Sequence, residues 1–228
     1  MTDPAQAGKR AAGRAAAELV RSGQLIGLGT GSTVRFLLER LAERIQDEGL
    51  SFVGFPTSED TRRRATALGI PLGDLESVDR LDLAIDGADE IDGRKDMIKG
   101  GGGALLRERI VAAAAREMVV IVSHDKIVPV LGNAFALPVE VLPFGLRQAA
   151  ARVRELGAQV VLRKDKEGHP FVTDQGNRIL DCHFGGIPDP GGLGESLHRI
   201  PSVIDHGLFV GMAGRVYVGD GQGRVRTW

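Results

Sequence analysis

Between Leu81 and Met118 the chain reads LDLAIDGADEIDGRKDMIKGGGGALLRERIVAAAAREM, and few architectures accommodate that stretch. Leu81, Leu83, Ala84 and Ile85 form a short apolar run that stops at the turn signal Asp86-Gly87. Three more acids follow at Asp89, Glu90 and Asp92. Lys99 then precedes four consecutive glycines, Gly100 to Gly103, and an alanine-rich helix begins with Glu108 in its early turns. The order is strand, acidic loop, glycine loop, helix. It gathers carboxylates, a lysine, backbone N–H groups and a helix N-terminus, which is equipment for moving protons on a small anionic substrate. Asp86 falls at the carboxyl end of a strand, where open parallel sheets place their ligands. Four glycines are entropically costly, and a plain turn needs one or two. Close approach of a ligand accounts for the run better. The acids also admit plainer uses, since Asp beside Gly is ordinary turn chemistry. Glu108 shares a helix side with Leu105, Ala112 and Ala115. It reads equally as a partly buried base or as a surface glutamate favoured in a first turn.

The near-continuous apolar run Val119–Val122 suits a strand buried on both faces of a parallel sheet. It ends in Ser123-His124-Asp125-Lys126, so Lys126 can enter the same crevice as Asp86. His124 beside Asp125 suggests a base pair, though a lone histidine at a strand end is more often structural. Upstream, the spacing predicts a helix over 9–22, with Lys9 and Arg10 reading as its solvated start. A strand over 25–28 follows, then Gly29-Thr30-Gly31-Ser32-Thr33, then a helix to Gln46 carrying Val34, Leu37, Leu38, Leu41 and Ile45 at helical spacing. A glycine and hydroxyl loop opening a helix is a natural anion site, and the same end would serve if Ser32 or Thr33 merely capped the helix. A dinucleotide fingerprint fails here, because Ser32 or Val34 stands where its third glycine belongs. Neither glycine loop is a P-loop. A second strand over 51–55 leads to the polar loop Pro56–Thr61 and a short basic helix.

From Pro129 the pattern changes to a compact α+β unit: strand 137–142, helix 145–156, strands 158–163, 171–173 and 178–184, helix 193–199, strand 202–204. That order is ferredoxin-like. Short tail strands at 208–211, 216–218 and 225–227 return to the first sheet. The expected fold is α/β: a Rossmann-like, open, mostly parallel sheet over 1–128 and 206–228, with an inserted α+β domain over 129–205. The single cysteine, Cys182, excludes an intrachain disulfide and points to a reducing compartment. Lys+Arg 29 against Asp+Glu 30 gives no global field for nucleic acid or membrane. No signal peptide or membrane-spanning run is visible, and a cytoplasmic protein is expected. Cys182 and His183 face opposite sides of a strand, and the remaining histidines lack ligand spacing, so no metal site is expected.

GLGTGST, DGADEID, KGGGGALLRE, SHDK and FVTDQGNRILD, in that order, resemble the type A ribose-5-phosphate isomerase family. The resemblance covers nearly the whole chain. It implies interconversion of ribose 5-phosphate and ribulose 5-phosphate without metal or cofactor, in a homodimer or homotetramer. It assigns Thr30, Gly31, Ser32 and Thr33 to the substrate, chiefly its phosphate, with Lys126 and Lys9 nearby. Asp86, Gly87, Ala88 and Asp89 match the loop around the sugar hydroxyls. Lys99, Gly100, Gly101 and Gly102 match the segment lining the reacting end, and Glu108 matches the catalytic base, with Asp86 and Lys99 assisting. Leu106 and Arg109 depart from the threonine and lysine common beside that glutamate, and Pro56-Thr57-Ser58 replaces a serine run. Two rivals are a sugar-phosphate deaminase or lactonase on a similar fold, and a non-catalytic sugar-phosphate sensor. The first wants a histidine set that is not evident. The second usually carries a DNA-binding domain, for which there is no spare length.

Overall fold

The computed structural model describes residues 3–228. In chain order the elements are α1 (Pro4–Ala17), β1 (Leu25–Leu28), α2 (Ser32–Glu48), β2 (Val53–Pro56), α3 (Glu59–Ala67), β3 (Leu83–Asp86), β4 (Glu90–Ile91), β5 (Met97–Ile98), α4 (Leu105–Ala114) and β6 (Met118–Ser123). They continue as β7 (Leu137–Val141), α5 (Leu146–Glu155), β8 (Gln159–Leu162), β9 (Arg178–His183), α6 (Pro190–His198), β10 (Val203–His206), β11 (Leu208–Phe209), β12 (Ala213–Gly219) and β13 (Val225–Thr227). Helix starts follow local chemistry. Asp3 caps α1 with Pro4 behind it, Ser58 caps α3, and Asp189 caps α6 ahead of Pro190.

Two compact units divide the chain. The first holds the residues up to Ala88, Arg107–Ile127 and Met212–Trp228. Its six-stranded sheet runs β13-β12-β6-β3-β1-β2, parallel except for β13. The chain leaves β1 toward β2 on one side and leaves β3 toward β6 on the other. The loops after β1 and β3 therefore diverge, which makes a topological switch point. Strand residues alternate between two apolar layers. Ile26, Leu28, Leu83, Ile85, Val119 and Ile121 pack with Ala12, Ala16, Leu37, Leu38 and Leu41 of α1 and α2. On the opposite face Val111 of α4 packs with Phe55, Leu81 and Ala84. Gly27 makes that second layer possible, because a Cβ there would lie 2.5 Å from Val111 Cγ1.

The second unit holds Asp89–Leu106 and Val128–Gly211. The segments Asp89–Leu106 and 206–211, counted with the first domain on sequence grounds, group here, and the strand expected over 208–211 to return to the first sheet instead pairs with β5. The antiparallel sheet runs β10-β7-β9-β8. With α5 and α6 in the order β-α-β-β-α-β this is the ferredoxin-like arrangement expected. Its core joins Leu137, Val139, Val141, Leu180 and Cys182 to Ala149, Val153 and Leu197. A small sheet, β11-β5-β4, lies in the same unit. One expected strand is not formed. Residues 171–173 join no ladder, although Phe171 N–H donates to the Arg163 carbonyl at 2.9 Å. Pro170 has no N–H to give a ladder, and the side chains that follow are committed elsewhere. Phe171 packs on Gly103, and Thr173 Oγ1 donates to Glu140 Oε1 at 2.8 Å.

Glu140 is fully buried on β7. Its Oε1 also accepts from Asn177 Nδ2 at 2.9 Å, while Oε2 has no hydrogen-bond partner among the described residues. Burial pushes this carboxyl upward, the Thr173 and Asn177 hydrogen bonds oppose the rise, and the charges of Asp205 and Asp174 reinforce it. The folded state thus holds its proton to higher pH than the unfolded chain does. Stability is lost as pH rises from about 4.5 through the folded pKa. Urea unfolding of wild type and Glu140→Gln across that window is expected to move in the variant's favour as pH rises. A constant difference would contradict the burial account. Gly27→Ala is expected to cost about 1–3 kcal/mol by overpacking. Combined with Val111→Ala the loss should be less than additive, and a strictly additive pair would show that α4 does not depend on this contact.

Candidate active site

Parallel strands bring the carboxyl ends of β1, β2, β3 and β6 to one edge of the first unit's sheet. Asp86, at the end of β3, is 3% exposed. Its Oδ1 accepts the Thr30 N–H at 3.0 Å and the Gly87 N–H at 2.7 Å. Gly29 permits this, since a Cβ there would meet that oxygen at 2.1 Å. Thr30 Oγ1 lies 2.8 Å from Thr57 Oγ1 and donates to Ser58 Oγ at 2.8 Å. Thr61 Oγ1 closes the group by donating to the Gly29 carbonyl at 2.7 Å. The loop after β2 therefore holds the loop after β1 through hydroxyls, beside a backbone bond from the Thr57 N–H to the Leu28 carbonyl at 2.9 Å. Gly31, at φ +114°, is the N-cap of α2, and no side chain caps that helix. The capping role considered for Ser32 and Thr33 is not taken up. Ser32 is exposed at the first helical position, and Thr33 is buried. A helix end of this kind, with adjacent hydroxyls, suits an anion.

Lys126 follows β6 in a short 3-10 turn and is half-buried, as is Lys9 on α1. His124 is exposed. Glu108 sits in the first turn of α4, one turn before Val111, and is only 5% exposed. The surface-glutamate alternative is thereby removed. Arg107 beside it donates to Glu59 Oε1 at 2.7 Å, which ties α4 to α3 and holds the Glu59 carboxyl below its ordinary range. Arg109 Nη1 lies 3.6 Å from the Met212 sulfur.

In the second unit Asp89 Oδ2 accepts the Gly101 N–H at 2.7 Å. Lys99 is 2% exposed, its N–H donates to the Gly207 carbonyl at 2.9 Å, and its ammonium stands 5.5 Å from the Phe209 ring centroid. Gly100 and Gly103 need the left-handed region, at φ +98° and +78°. A Cβ at Gly101 would meet Asp89 Oδ1 at 2.5 Å, and one at Gly103 would meet the Phe171 ring at 2.4 Å. The close approach inferred for this run is thus made, at these two positions, by the chain's own side chains. The acidic segment divides in the same way. Buried Glu90 accepts N–H groups from Gly132, Ala134 and Phe135 at 2.6, 3.2 and 2.8 Å, and Asp92 Oδ1 accepts from Arg94 and Asp96 at 2.9 Å each. Glu90 and Asp92 are thus spent on the backbone of their own unit.

Two features were not legible from spacing. Arg163 donates to the carbonyls of Gly100 and Gly101 at 2.8 and 3.1 Å, with no local signal beyond Asp181 in FVTDQGNRILD. His198, Asp205 and His206 bring possible ligand atoms within 4.8 Å of one another. His206 Nδ1, however, accepts the Leu208 N–H at 3.2 Å, so the neutral ring carries its proton on Nε2 and offers no second lone pair to a metal. The buried Cys182 thiol is pushed up to about 12, chiefly by desolvation, which removes it as a nucleophile.

A doubly wound parallel sheet with an uncapped helix end, hydroxyls and a buried aspartate at its switch point defines an α/β enzyme of the class that holds small anionic ligands there. Residues 53–223 match the model of the family described as ribose 5-phosphate isomerase A (phosphoriboisomerase A). The ribose-5-phosphate isomerase A of Synechococcus sp. (strain JA-3-3Ab) is 52% identical over 216 residues, 94% of this chain and 94% of that protein. That of Gluconobacter oxydans (strain 621H) is 50% identical over 96% of this chain and 95% of its own length. Among solved structures, ribose 5-phosphate isomerase A of Methanocaldococcus jannaschii superposes with a TM-score of 0.91 at 38% identity, covering 96% of this chain and 97% of that one. A D-ribose-5-phosphate isomerase in complex with phospho-erythronic acid gives 0.95 at 34% identity, covering 100% and 99%. The chain belongs to the ribose 5-phosphate isomerase A family, and isomerisation of ribose 5-phosphate is the activity that membership carries. No helix among the described residues is long and apolar enough to cross a membrane.

Gly29→Ala should push the Asp86 carboxylate away from Thr30 and lower kcat/KM for ribose 5-phosphate by about 10²-fold, the scale of a 1 Å misplacement. Steady-state kinetics beside a thermal melt would check this. A rate within twofold of wild type, in a folded variant, would mean that the contact does not set the site.

Proposed function

We propose that the chain interconverts D-ribose 5-phosphate and D-ribulose 5-phosphate through a cis-enediolate, with Glu108 carrying the proton between C2 and C1. The observation that carries this reading is a carboxylate almost wholly removed from water in the first turn of the helix that follows the glycine loop. The shift is internally balanced. C2 loses a proton and is oxidised to a carbonyl, C1 gains a proton and is reduced, and one base serves both transfers. Such a base contributes about 10²–10⁴-fold. Lys99 offsets the charge that develops on the enediolate oxygen. Asp86 assists ring opening and proton movement between O1 and O2, and Gly87, Ala88 and Asp89 hold sugar hydroxyls. Lys99 with Gly100, Gly101 and Gly102 lines the reacting end. Thr30, Gly31, Ser32 and Thr33 hold the phosphate with Lys126 and Lys9. No metal or cofactor enters any of these steps.

One solved relative is in complex with phospho-erythronic acid, a phosphorylated sugar acid, which supports a sugar phosphate as the ligand. A cytoplasmic homodimer or homotetramer completes the reading. Glu108→Gln is expected to lower kcat by at least about 10²-fold while sugar-phosphate binding stays within a few-fold. Wild-type turnover is expected to survive a chelator. A Glu108→Gln rate near that of wild type would remove the glutamate base.

A further inference from the structure

The glycine run of the second unit has an anchor that the reaction scheme above does not use. Arg163, just beyond β8, is 14% exposed at its side chain. Its Nε donates to Asp181 Oδ2 at 3.0 Å, and its Nη2 to Asp181 Oδ1 at 2.5 Å. The remaining terminal nitrogen, Nη1, donates to the Gly100 carbonyl at 2.8 Å and to the Gly101 carbonyl at 3.1 Å. The guanidinium carbon also stands 6.0 Å from the centroid of the Phe171 ring, which occupies the space a Cβ at Gly103 would need. One side chain and the ring beneath it thus touch the run at Gly100, Gly101 and Gly103.

We propose that Arg163 is a positioning residue for the isomerisation: it fixes the peptide planes of Gly100 and Gly101 and thereby aims the N–H groups of Gly101 and Gly102. This rests on the reading of the glycine run as the lining of the reacting end. A trans peptide is planar, so a carbonyl and the N–H of the next residue point in opposite directions. Holding the Gly100 carbonyl toward Arg163 sends the Gly101 N–H the other way, and that N–H reaches Asp89 Oδ2 at 2.7 Å. Holding the Gly101 carbonyl does the same for the Gly102 N–H. Successive glycines have no side chains to select a conformation; a turn closes the run on itself, the Gly103 N–H donating to the Gly100 carbonyl at 2.9 Å, and Arg163 fixes that carbonyl and the next from outside. An arginine suits the task. Its planar fork binds a carboxylate with two donors and still has a third for the carbonyls, which the point charge of a lysine does not reproduce. The Gly101 N–H thereby holds Asp89, and the Gly102 N–H, aimed before substrate arrives, stabilises charge in the transition state without reorganising.

The test compares wild type with Arg163→Ala, Arg163→Lys and Asp181→Asn. Arg163→Ala is expected to lower kcat by about 10²-fold with KM changed less than about threefold, the pattern of an oriented donor lost from the transition state. Arg163→Lys should recover part of that loss, and low-millimolar guanidinium should raise the Arg163→Ala rate several-fold. Should Arg163→Ala fail to fold, Asp181→Asn keeps the arginine but loosens its anchor, and a loss of about 10-fold in kcat is expected. Hydrogen exchange at the Gly101 and Gly102 amides reads the same clamp without turnover and should be faster in each variant. Unchanged kcat, a rise confined to KM, or a lower melting temperature with unchanged kcat and exchange would overturn the proposal. Faster exchange together with a wild-type protein that fails to turn over ribose 5-phosphate would instead count against the isomerase reading.

Discussion

The contact between Gly29 and Asp86 governs the carboxyl edge of the first sheet. Without a side chain at Gly29, the Asp86 carboxylate comes against the backbone of the neighbouring strand and collects the N–H groups of Thr30 and Gly87. Hydrogen bonds to an ionised acceptor are roughly twice as strong as neutral ones, so this oxygen fixes both loops that diverge from the switch point. Thr30 is then placed for its hydroxyl to meet those of Thr57 and Ser58, and Thr61 returns to the Gly29 carbonyl. The chain of contacts closes on the residue where it began. Loosening any member frees the others, and Gly31 and the uncapped start of α2 lie one residue further along.

The second unit uses a different device for a similar end. Its glycine run could adopt many conformations, and order is imposed by partners distant in sequence. Asp89 accepts the Gly101 N–H from one side, and Arg163 donates to the Gly100 and Gly101 carbonyls from the other. Arg163 is in turn held by Asp181 on β9, so the rigidity of an antiparallel sheet is passed to a loop that has none of its own. The ferredoxin-like elements are in this sense the support of a loop that precedes them in sequence.

Apolar runs and loop signals carried the first sheet. Leu25–Leu28, Leu83–Ile85 and Val119–Val122 could be read as strands because each is short, apolar and bounded by glycine or aspartate, and each is one. GLGTGST could be read as an anion loop for the same reason. What local pattern left open was settled by distant partners. Periodicity divided Glu108 evenly between a surface and an interior position, and packing of α4 decided for the interior. Glu90 and Asp92 looked like ligand acids because their real partners, the amides of Gly132, Ala134 and Phe135 and those of Arg94 and Asp96, had to be folded into place first. Residues 171–173 alternate like a strand, yet Phe171 and Thr173 are spent on Gly103 and Glu140. Arg163 gave no signal, because a lone arginine after a strand looks like any solvated charge.

The alternation of duties along the acidic turn has an evolutionary corollary. Asp89 serves Gly101, its neighbour Glu90 serves the 132–135 backbone, and the two point to different surroundings because successive residues of extended chain do. Inserting or deleting one residue between Asp86 and Asp89 would exchange the two acids, turning Glu90 toward the glycine run and Asp89 toward the 132–135 backbone. Drift in this segment is therefore confined to substitution. Changes of length should accumulate elsewhere, and the spacing from Asp86 to the glycines becomes a more durable mark of descent than the identity of any residue between them.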